Sequence, residues 1–347
     1  MNLDNPKVLI LGGGIAGLTA ALALNRLGIP VELIEKSEAL GGMVRSFCCK
    51  ASPVCQQCGA CLVNDALKML VGAHNVDVHL QAELKEIKMD AKEFLYTYSR
   101  PGGGGEGRAA ALLLATGFTP FRAEDKPQYR YGLLSNVLTG LDLERQLRET
   151  GKVIKPSDQA PPQSMAFIQC VGSRDLHLNH PFCSQVCCGY ALRMANLIKH
   201  KNPQMEITVF YMDIQSFGKD FPNFLNQTRK QIRFIRSIPG EISAGDQDQL
   251  IFTFQSDDGL TSQKLAADLA VLSVGMMPGL DNPVLSKMLG HPLNADGFLP
   301  ANPDVSRPEG IFSAGAVSGP KSISRSIAQA YQAVEEVAAF LSKRSSV

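Results

Sequence analysis

The sequence predicts an α/β protein of two domains, each built like a dinucleotide-binding unit, with the first domain interrupted by the second. Three observations carry this expectation. A glycine-rich loop joins a short apolar run to an Ala/Leu-rich stretch at residues 8–24. A second strand–helix–strand pattern begins near Met165, and strand and helix signals return between residues 310 and 342. A length of 347 residues suits two domains.

The first element is the apolar run Val8–Leu11, followed by Gly12, Gly14 and Gly17 in G-x-G-x-x-G spacing. In such a loop the first glycine permits a sharp turn, the second lets backbone N–H groups approach a pyrophosphate, and the third allows close helix–strand packing. Ile15 and Ala16 then open a helix whose N-terminus faces phosphate charge. A second apolar run, Val31–Ile34, delivers Glu35, with Lys36 after it, 18 positions beyond Gly17. Glu35 is placed to accept from the adenosine ribose. Strand, loop, helix and acid in this order mark a dinucleotide site rather than a bare strand–helix turn.

Further segments select FAD over NAD. Gly41-Gly42 comes six residues after Glu35, as in flavin disulfide reductases and their relatives, and Gly42 and Met43 are expected to line the passage from phosphates to flavin. The run Leu112–Gly117 matches a strand returning to the flavin, with Ala115, Thr116 and Gly117 at its end. Gly310–Ala316 matches the second flavin-contacting segment, with Gly315 and Ala316 beside the ribityl chain. Many relatives carry Asp where this chain has Ala316, so that contact must come from backbone or elsewhere. Ser322-Ile323 begins the last helix, whose N-terminus is suited to stabilise negative charge on the flavin pyrimidine.

Hydrophobic residues make up 45% and charged residues 19%, an ordinary globular mix. A formal charge of +1 without a long basic run gives no footprint for nucleic acid. The apolar stretch from Val8 to Leu24 could pass for a signal peptide or a span, but its glycines and the later Glu35 fit strand–loop–helix better. A cytoplasmic protein with no membrane span is expected. Nine cysteines, an odd number, then point to metal, cluster or redox ligands rather than structural disulfides.

Residues 1–122 and 291–347 are assigned to the FAD-binding domain and 123–290 to a second unit. Within the first, 76–80, 93–99 and 108–115 read as strands, the last two flanking a hairpin tip of glycines at 101–107. Helices are expected at 141–149, 185–200 and 323–342, and strands at 165–169 and 207–211. The 165–211 pattern resembles the NADPH domain of thioredoxin reductase-like proteins. The expected fold is therefore thioredoxin reductase-like, with FAD/NAD(P)-binding Rossmann-type domains.

After its strand, however, the second unit has no G-x-G-x-x-G. It reads Cys170-Val171-Gly172-Ser173-Arg174-Asp175 and continues to Cys183-Ser184-Gln185-Val186-Cys187-Cys188. Without the glycines a pyrophosphate cannot be closely approached. Four thiols in C-x12-C-x3-C-C spacing stand there instead. Cys183 and Cys187 are expected one above the other at a helix start, where thiolate is favoured. Spacing alone leaves open a [4Fe–4S] cluster, a zinc site, or redox-active thiols. His177 and His180 are alternative ligands.

These residues carry a family resemblance. Phe167-Ile168-Gln169-Cys170-Val171-Gly172-Ser173-Arg174-Asp175 with Cys183-x3-Cys187-Cys188 resembles the flavin-carrying A-type component of heterodisulfide reductase, and the glycine loop, Gly41-Gly42 and Cys58-Gly59-Ala60-Cys61 fall in matching order. The resemblance spans essentially the whole chain. It implies FAD plus an atypical [4Fe–4S] cluster on Cys170, Cys183, Cys187 and Cys188. It also implies partners similar to the B- and C-type components of that enzyme, and a homodimer or a heterodimer of A-type chains. Methanogen members carry added C-x2-C-x2-C-x3-C-P segments that this sequence lacks, so it is similar to the short, core-only members found in heterodisulfide reductase-like complexes of sulfur-oxidising microbes. Arg193, five residues after Cys188 and roughly 7.5 Å along a helix, stands where the methanogen type has Lys near the flavin. A permanent cation there alters reduced-flavin chemistry, which puts electron bifurcation in doubt. A solvated Arg on the helix face is the plainer reading.

Cys48, Cys49, Cys55, Cys58 and Cys61 follow the glycine pair. They are open to reading as a second cluster, a dithiol facing the flavin, or plain thiols. The expected function is electron transfer by FAD and cluster in a heterodisulfide reductase-like complex of cytoplasmic sulfur oxidation. The alternative is a stand-alone NAD(P)H-dependent disulfide reductase using Cys58 and Cys61.

Overall fold

Short apolar runs such as Val8–Leu11 and Ala111–Leu114 are buried along their whole length, as strands of a parallel sheet must be when both faces are covered. A computed structural model describes residues 6–90, 92–215, 219–301 and 309–345. The chain divides into two units. One comprises Met1–Arg45, Gly59–Thr119 and Pro278–Val347; the other comprises Ser46–Cys58 and Pro120–Met277.

The first unit holds a five-stranded parallel sheet in the order Ile311–Ser313, Ala111–Leu114, Val8–Leu11, Val31–Ile34, Val76–His79. Helix Ile15–Arg26 and the terminal helix Ile323–Ser345 supply Ala20, Leu24, Ala330, Val334 and Val337 to the core on one face of it. A three-stranded antiparallel sheet, Glu83–Asp90, Glu93–Arg100 and Gly103–Ala109, belongs to the same unit. Here the structure corrects the glycine-rich hairpin tip expected at 101–107. The turn is confined to Pro101-Gly102, and Gly103 to Gly107 continue as strand opposite Arg100 to Tyr96. The rings of Tyr98 and Tyr96 lie across Gly105 and Gly107, where any Cβ would collide with them.

The second unit repeats the plan. Its parallel sheet runs Arg233–Ile235, Glu206–Phe210, Ser164–Val171, Leu269–Val274, Val137–Thr139, with an antiparallel sheet of Glu241–Ala244, Leu250–Gln255 and Ser262–Ala267. Helix Gly140–Thr150 starts on a reciprocal cap, in which the Thr139 hydroxyl accepts from Asp142 N and the Asp142 carboxylate accepts from Thr139 N. Helix Cys187–Lys201 packs Ala191, Met194, Ala195 and Ile198 into the core.

The division departs from the sequence boundaries at three places, the smallest being residues 120–122, which fall in the second unit. Residues 278–290 belong to the first unit, because helix Asn282–Leu289 buries Leu285 and Leu289 in a core with Leu9, Leu112 and Leu114. Residues 46–58 belong to the second, through an ion pair that sequence could not foresee. Lys50 Nζ lies 2.5 Å from Glu144 Oε1, with the side chains only 3% and 4% exposed. Glu144 Oε2 also accepts from Cys48 N at 2.9 Å, and Arg148 donates to Phe47 O at 3.1 Å. Removing one partner of a buried pair leaves an uncompensated charge, at about 3–5 kcal/mol. Glu144→Leu is therefore expected to lower the unfolding free energy by that amount, read as a lower urea midpoint at unchanged slope, with much of the loss recovered in Lys50→Met/Glu144→Leu. A single variant within about 0.5 kcal/mol of the parent would show that the pair does not hold the segment.

Candidate cofactor sites

In the first unit, the strand Val8–Leu11 ends at Gly12, whose φ of +100° turns the chain sharply toward the helix. Gly17 packs so closely that a Cβ there would overlap Gly12 O. Gly14 is the N-cap of helix Ile15–Arg26 and offers no side-chain cap. The first helical amides, of Ile15, Ala16 and Gly17, thus have no capping side chain among the described residues, as an anion site requires. The glycine pair is brought against this loop: Gly41 N donates to Gly13 O at 2.8 Å, and a Cβ on Gly42 would stand 3.0 Å from Gly14 Cα.

Glu35 is buried and braces the loop. Its Oε2 accepts from Gly13 N at 2.6 Å and its Oε1 from Ser37 N at 2.8 Å. Each carboxylate oxygen keeps a second lone pair, so a ribose hydroxyl can still be received. Lys36 points into an exposed ion pair with Asp281 at 2.5 Å. Ala115 N donates to Leu11 O at 2.8 Å, the buried Thr116 hydroxyl has no hydrogen-bond partner among the described residues, and the space beside Gly117 is open. Gly315 is pressed against helix Ile15–Arg26, its would-be Cβ 2.7 Å from Ala16 Cβ, and its amide donates to Gln329 at 2.9 Å. Ala316 O accepts from Gly319 N, Met43 lies in the short helical turn Gly42–Ser46, and the Ser322 hydroxyl accepts from Arg325 N at 3.3 Å where the helix beginning at Ile323 starts. Sequence reasoning missed Lys321. Its ammonium donates to Ser318 Oγ and Gly319 O, and burial, then Arg325, lowers its pKa to about 8. Its place two residues before the helix start at Ile323 was the available signal.

In the second unit, Cys170 lies near the end of strand Ser164–Val171, at a register break opposite Leu269–Val274. Its φ is +60°, and Arg174, Asn179 and Gln185 share this left-handed conformation. Non-glycine residues held there are strained, and such strain clusters at functional sites. At Gly172 the ring of Phe121 fills the space of a side chain. The loop beyond is tied down internally: Asp175 pairs with Lys126 and accepts from His177 N, while His180 Nδ1 contacts Gly172 O at 3.0 Å. His177 is exposed.

Cys183 corrects one expectation. The helix begins at Cys187, so Cys183 is not stacked above it on a helical face. Left-handed Gln185 breaks the path, and Ser184 Oγ, accepting from Met276 N at 2.8 Å, anchors the segment. The four thiols nonetheless sense one another. Burial, with Cys188 and Cys183 adding, pushes Cys170 to about 12; burial, then Cys170, Cys188 and Cys183, pushes Cys187 up as well. Burial also raises Cys188, against a hydrogen bond from the Gln215 backbone. Cys183 Sγ accepts from Gln185 N at 3.3 Å.

Among the described residues no three His, Cys, Asp or Glu side chains converge as closely as one metal ion demands. A [4Fe–4S] cluster would be held by four thiolates, the number that Cys170, Cys183, Cys187 and Cys188 supply. Two buried polar groups beside Cys170 lack partners among the described residues, the Gln169 amide and the Ser173 hydroxyl. Such groups suit a site that receives another acceptor or donor.

Arg193 stays within the second unit. Its Nε donates to Gln56 O at 2.8 Å and its guanidinium lies 5.6 Å from the Phe224 ring. Burial lowers its pKa and Cys58 opposes that. All nine cysteines are free; Cys48 is buried, Cys58 half-buried, and Cys49, Cys55 and Cys61 are exposed.

Residues 6–154 match the family model of the pyridine nucleotide-disulphide oxidoreductases. Over 96% of its length the chain is 31% identical to the second A-type iron-sulfur component of CoB–CoM heterodisulfide reductase of Methanopyrus kandleri, covering 64% of that protein. It is 32% identical to the A-type component of the H(2):CoB-CoM heterodisulfide,ferredoxin reductase of Methanothermobacter thermautotrophicus, covering 96% of this chain and 63% of the relative. Over nearly its whole length the chain is thus similar to the A-type component of heterodisulfide reductase.

It spans a little under two thirds of the length of these relatives. Among solved structures, the chain is similar to thioredoxin reductase of Lactococcus lactis, with a TM-score of 0.65 at 17% identity, covering 98% of this chain and all of that one. Thioredoxin reductase of T. acidophilum gives 0.63 at 15% identity, covering 99% of both chains. The fold is thus the thioredoxin reductase-like α/β fold that the sequence predicts, and the relatives that the chain matches are oxidoreductase components. No helix among the described residues is long and apolar enough to cross a membrane.

Proposed function

We propose that this chain is the FAD- and [4Fe–4S]-carrying electron-transfer subunit of a heterodisulfide reductase-like complex in cytoplasmic sulfur oxidation. It would act with B- and C-like partners, as a homodimer or paired with another A-type chain. One observation carries the reading: where the first unit has its open glycine loop, the second has Cys170 at a break in strand register, followed by Cys183, Cys187 and Cys188, with Phe121 filling the space at Gly172.

Bound FAD takes electrons in pairs and a cluster passes them singly; that chemistry belongs to the cofactors. The chain's own part is to hold them. The amides of Ile15, Ala16 and Gly17 receive the pyrophosphate, Glu35 the ribose, and Thr116, Gly117, Gly315 and Ala316 the ribityl chain. Lys321 and the helix start at Ile323 set positive potential beside the pyrimidine. Cys170, Cys183, Cys187 and Cys188 hold the cluster. Arg193 fastens the cysteine-bearing segment through Gln56 and keeps a cation beside Cys58.

The test is chemical analysis of anaerobically purified protein, followed by NADPH addition. FAD, iron and acid-labile sulfide in stoichiometric amounts, with slow or no bleaching by NADPH, are expected. Iron-free yellow protein that NADPH bleaches rapidly would instead favour a disulfide reductase using Cys58 and Cys61.

A further inference from the structure

We propose that the Ser173 hydroxyl donates a hydrogen bond to a sulfur of the cluster and raises its reduction potential; this rests on the ligand set proposed above. Ser173 is 1% exposed, and its Oγ has no partner among the described residues. Two of the four cysteines bracket it. On one side, Ser173 N donates to Cys170 O at 3.2 Å, closing a tight turn. On the other, Gly275 lies close to both Ser173 and Ser184, the residue after Cys183. A Cβ on Gly275 would lie 3.1 Å from Ser173 Cβ and 2.6 Å from Ser184 Oγ.

The chemistry fixes the direction. A serine hydroxyl is a donor that rotates toward whatever acceptor is present. Cluster sulfides and thiolates only accept. A hydroxyl sealed from water with nothing to bond is unfavourable, and a sulfur acceptor at this place removes the difficulty. Hydrogen bonds to the sulfurs help set a cluster's potential. A donor stabilises the more negative, reduced form, so its loss lowers the potential. Ser184 is the weaker candidate because its hydroxyl is already engaged, accepting from Met276 N, and is not left without any partner.

The experiment is a redox titration of the full-length protein, purified without oxygen and followed by EPR, comparing the parent with Ser173→Ala and Ser173→Thr. Ser173→Ala is expected to keep its iron while the reduced-to-oxidised ratio at fixed poise falls about tenfold, which is about 59 mV for a one-electron couple. Ser173→Thr, which keeps the hydroxyl, is expected within about threefold of the parent. In cluster-free protein, Ser173→Ala is expected to melt no lower than the parent, since an unpartnered group has been removed. An unchanged ratio in Ser173→Ala at full iron content overturns the proposal and leaves the cysteine ligands standing. Loss of iron from Ser173→Ala also overturns it, because the residue would then be needed for assembly. A parent protein without iron overturns both this and the reading on which it rests.

Discussion

Gly14→Ala is expected to fold with nearly the stability of the parent and to lose FAD. Gly14 has no φ that excludes a side chain, −73° in extended backbone, and a Cβ built on it meets no atom within 4 Å. As helix N-cap, alanine is a poorer residue than glycine, at about 0.5–1 kcal/mol. The open space is where the pyrophosphate must come to reach the amides of Ile15, Ala16 and Gly17. A methyl group there should weaken FAD at least about 100-fold, or about 2.7 kcal/mol. Fluorescence titration of the apoprotein with FAD, beside a thermal melt, separates the two effects. Affinity within about threefold of the parent would mean that this loop does not hold the pyrophosphate. Gly17→Ala provides the contrast, since its Cβ overlaps Gly12 O and folding itself should suffer.

Cys183→Ser should abolish the cluster and spare the flavin. All four thiolates are needed to close a four-iron cluster, and the proposed FAD contacts lie in the other unit. Iron is expected to fall from about four to below one per chain, with FAD retained and the cluster EPR signal lost. Cys49→Ser, at an exposed thiol, should change neither. Full iron with an unaltered signal in Cys183→Ser would dismiss Cys183 as a ligand.

The parallel strands and their glycine loop were legible because they are local. Val8–Leu11, Gly12, Gly14, Gly17 and Glu35 lie within 28 residues, and each type is dictated by a turn, a close approach or a charge. Much else was not legible. A cysteine at positive φ leaves no trace in sequence, so the register break at Cys170 could not be foreseen. The helical stacking of Cys183 on Cys187 was a spacing argument, defeated by left-handed Gln185 and the Ser184–Met276 hydrogen bond, a contact 92 residues apart. Glycine composition suggested a loop at 101–107, but tyrosines on the neighbouring strand require glycine there for room.

The pairing of Lys50 with Glu144 bears on how this architecture can be cut apart. A fragment comprising 120–277 alone would contain all four proposed iron ligands and both sheets of its unit. It would nonetheless expose the seat vacated by Cys48 and leave the Glu144 carboxylate stranded in an oily interior. The iron-bearing half is therefore not an exchangeable cassette: a designer transplanting it must carry along the thirteen-residue strap Ser46–Cys58, or first neutralise Glu144.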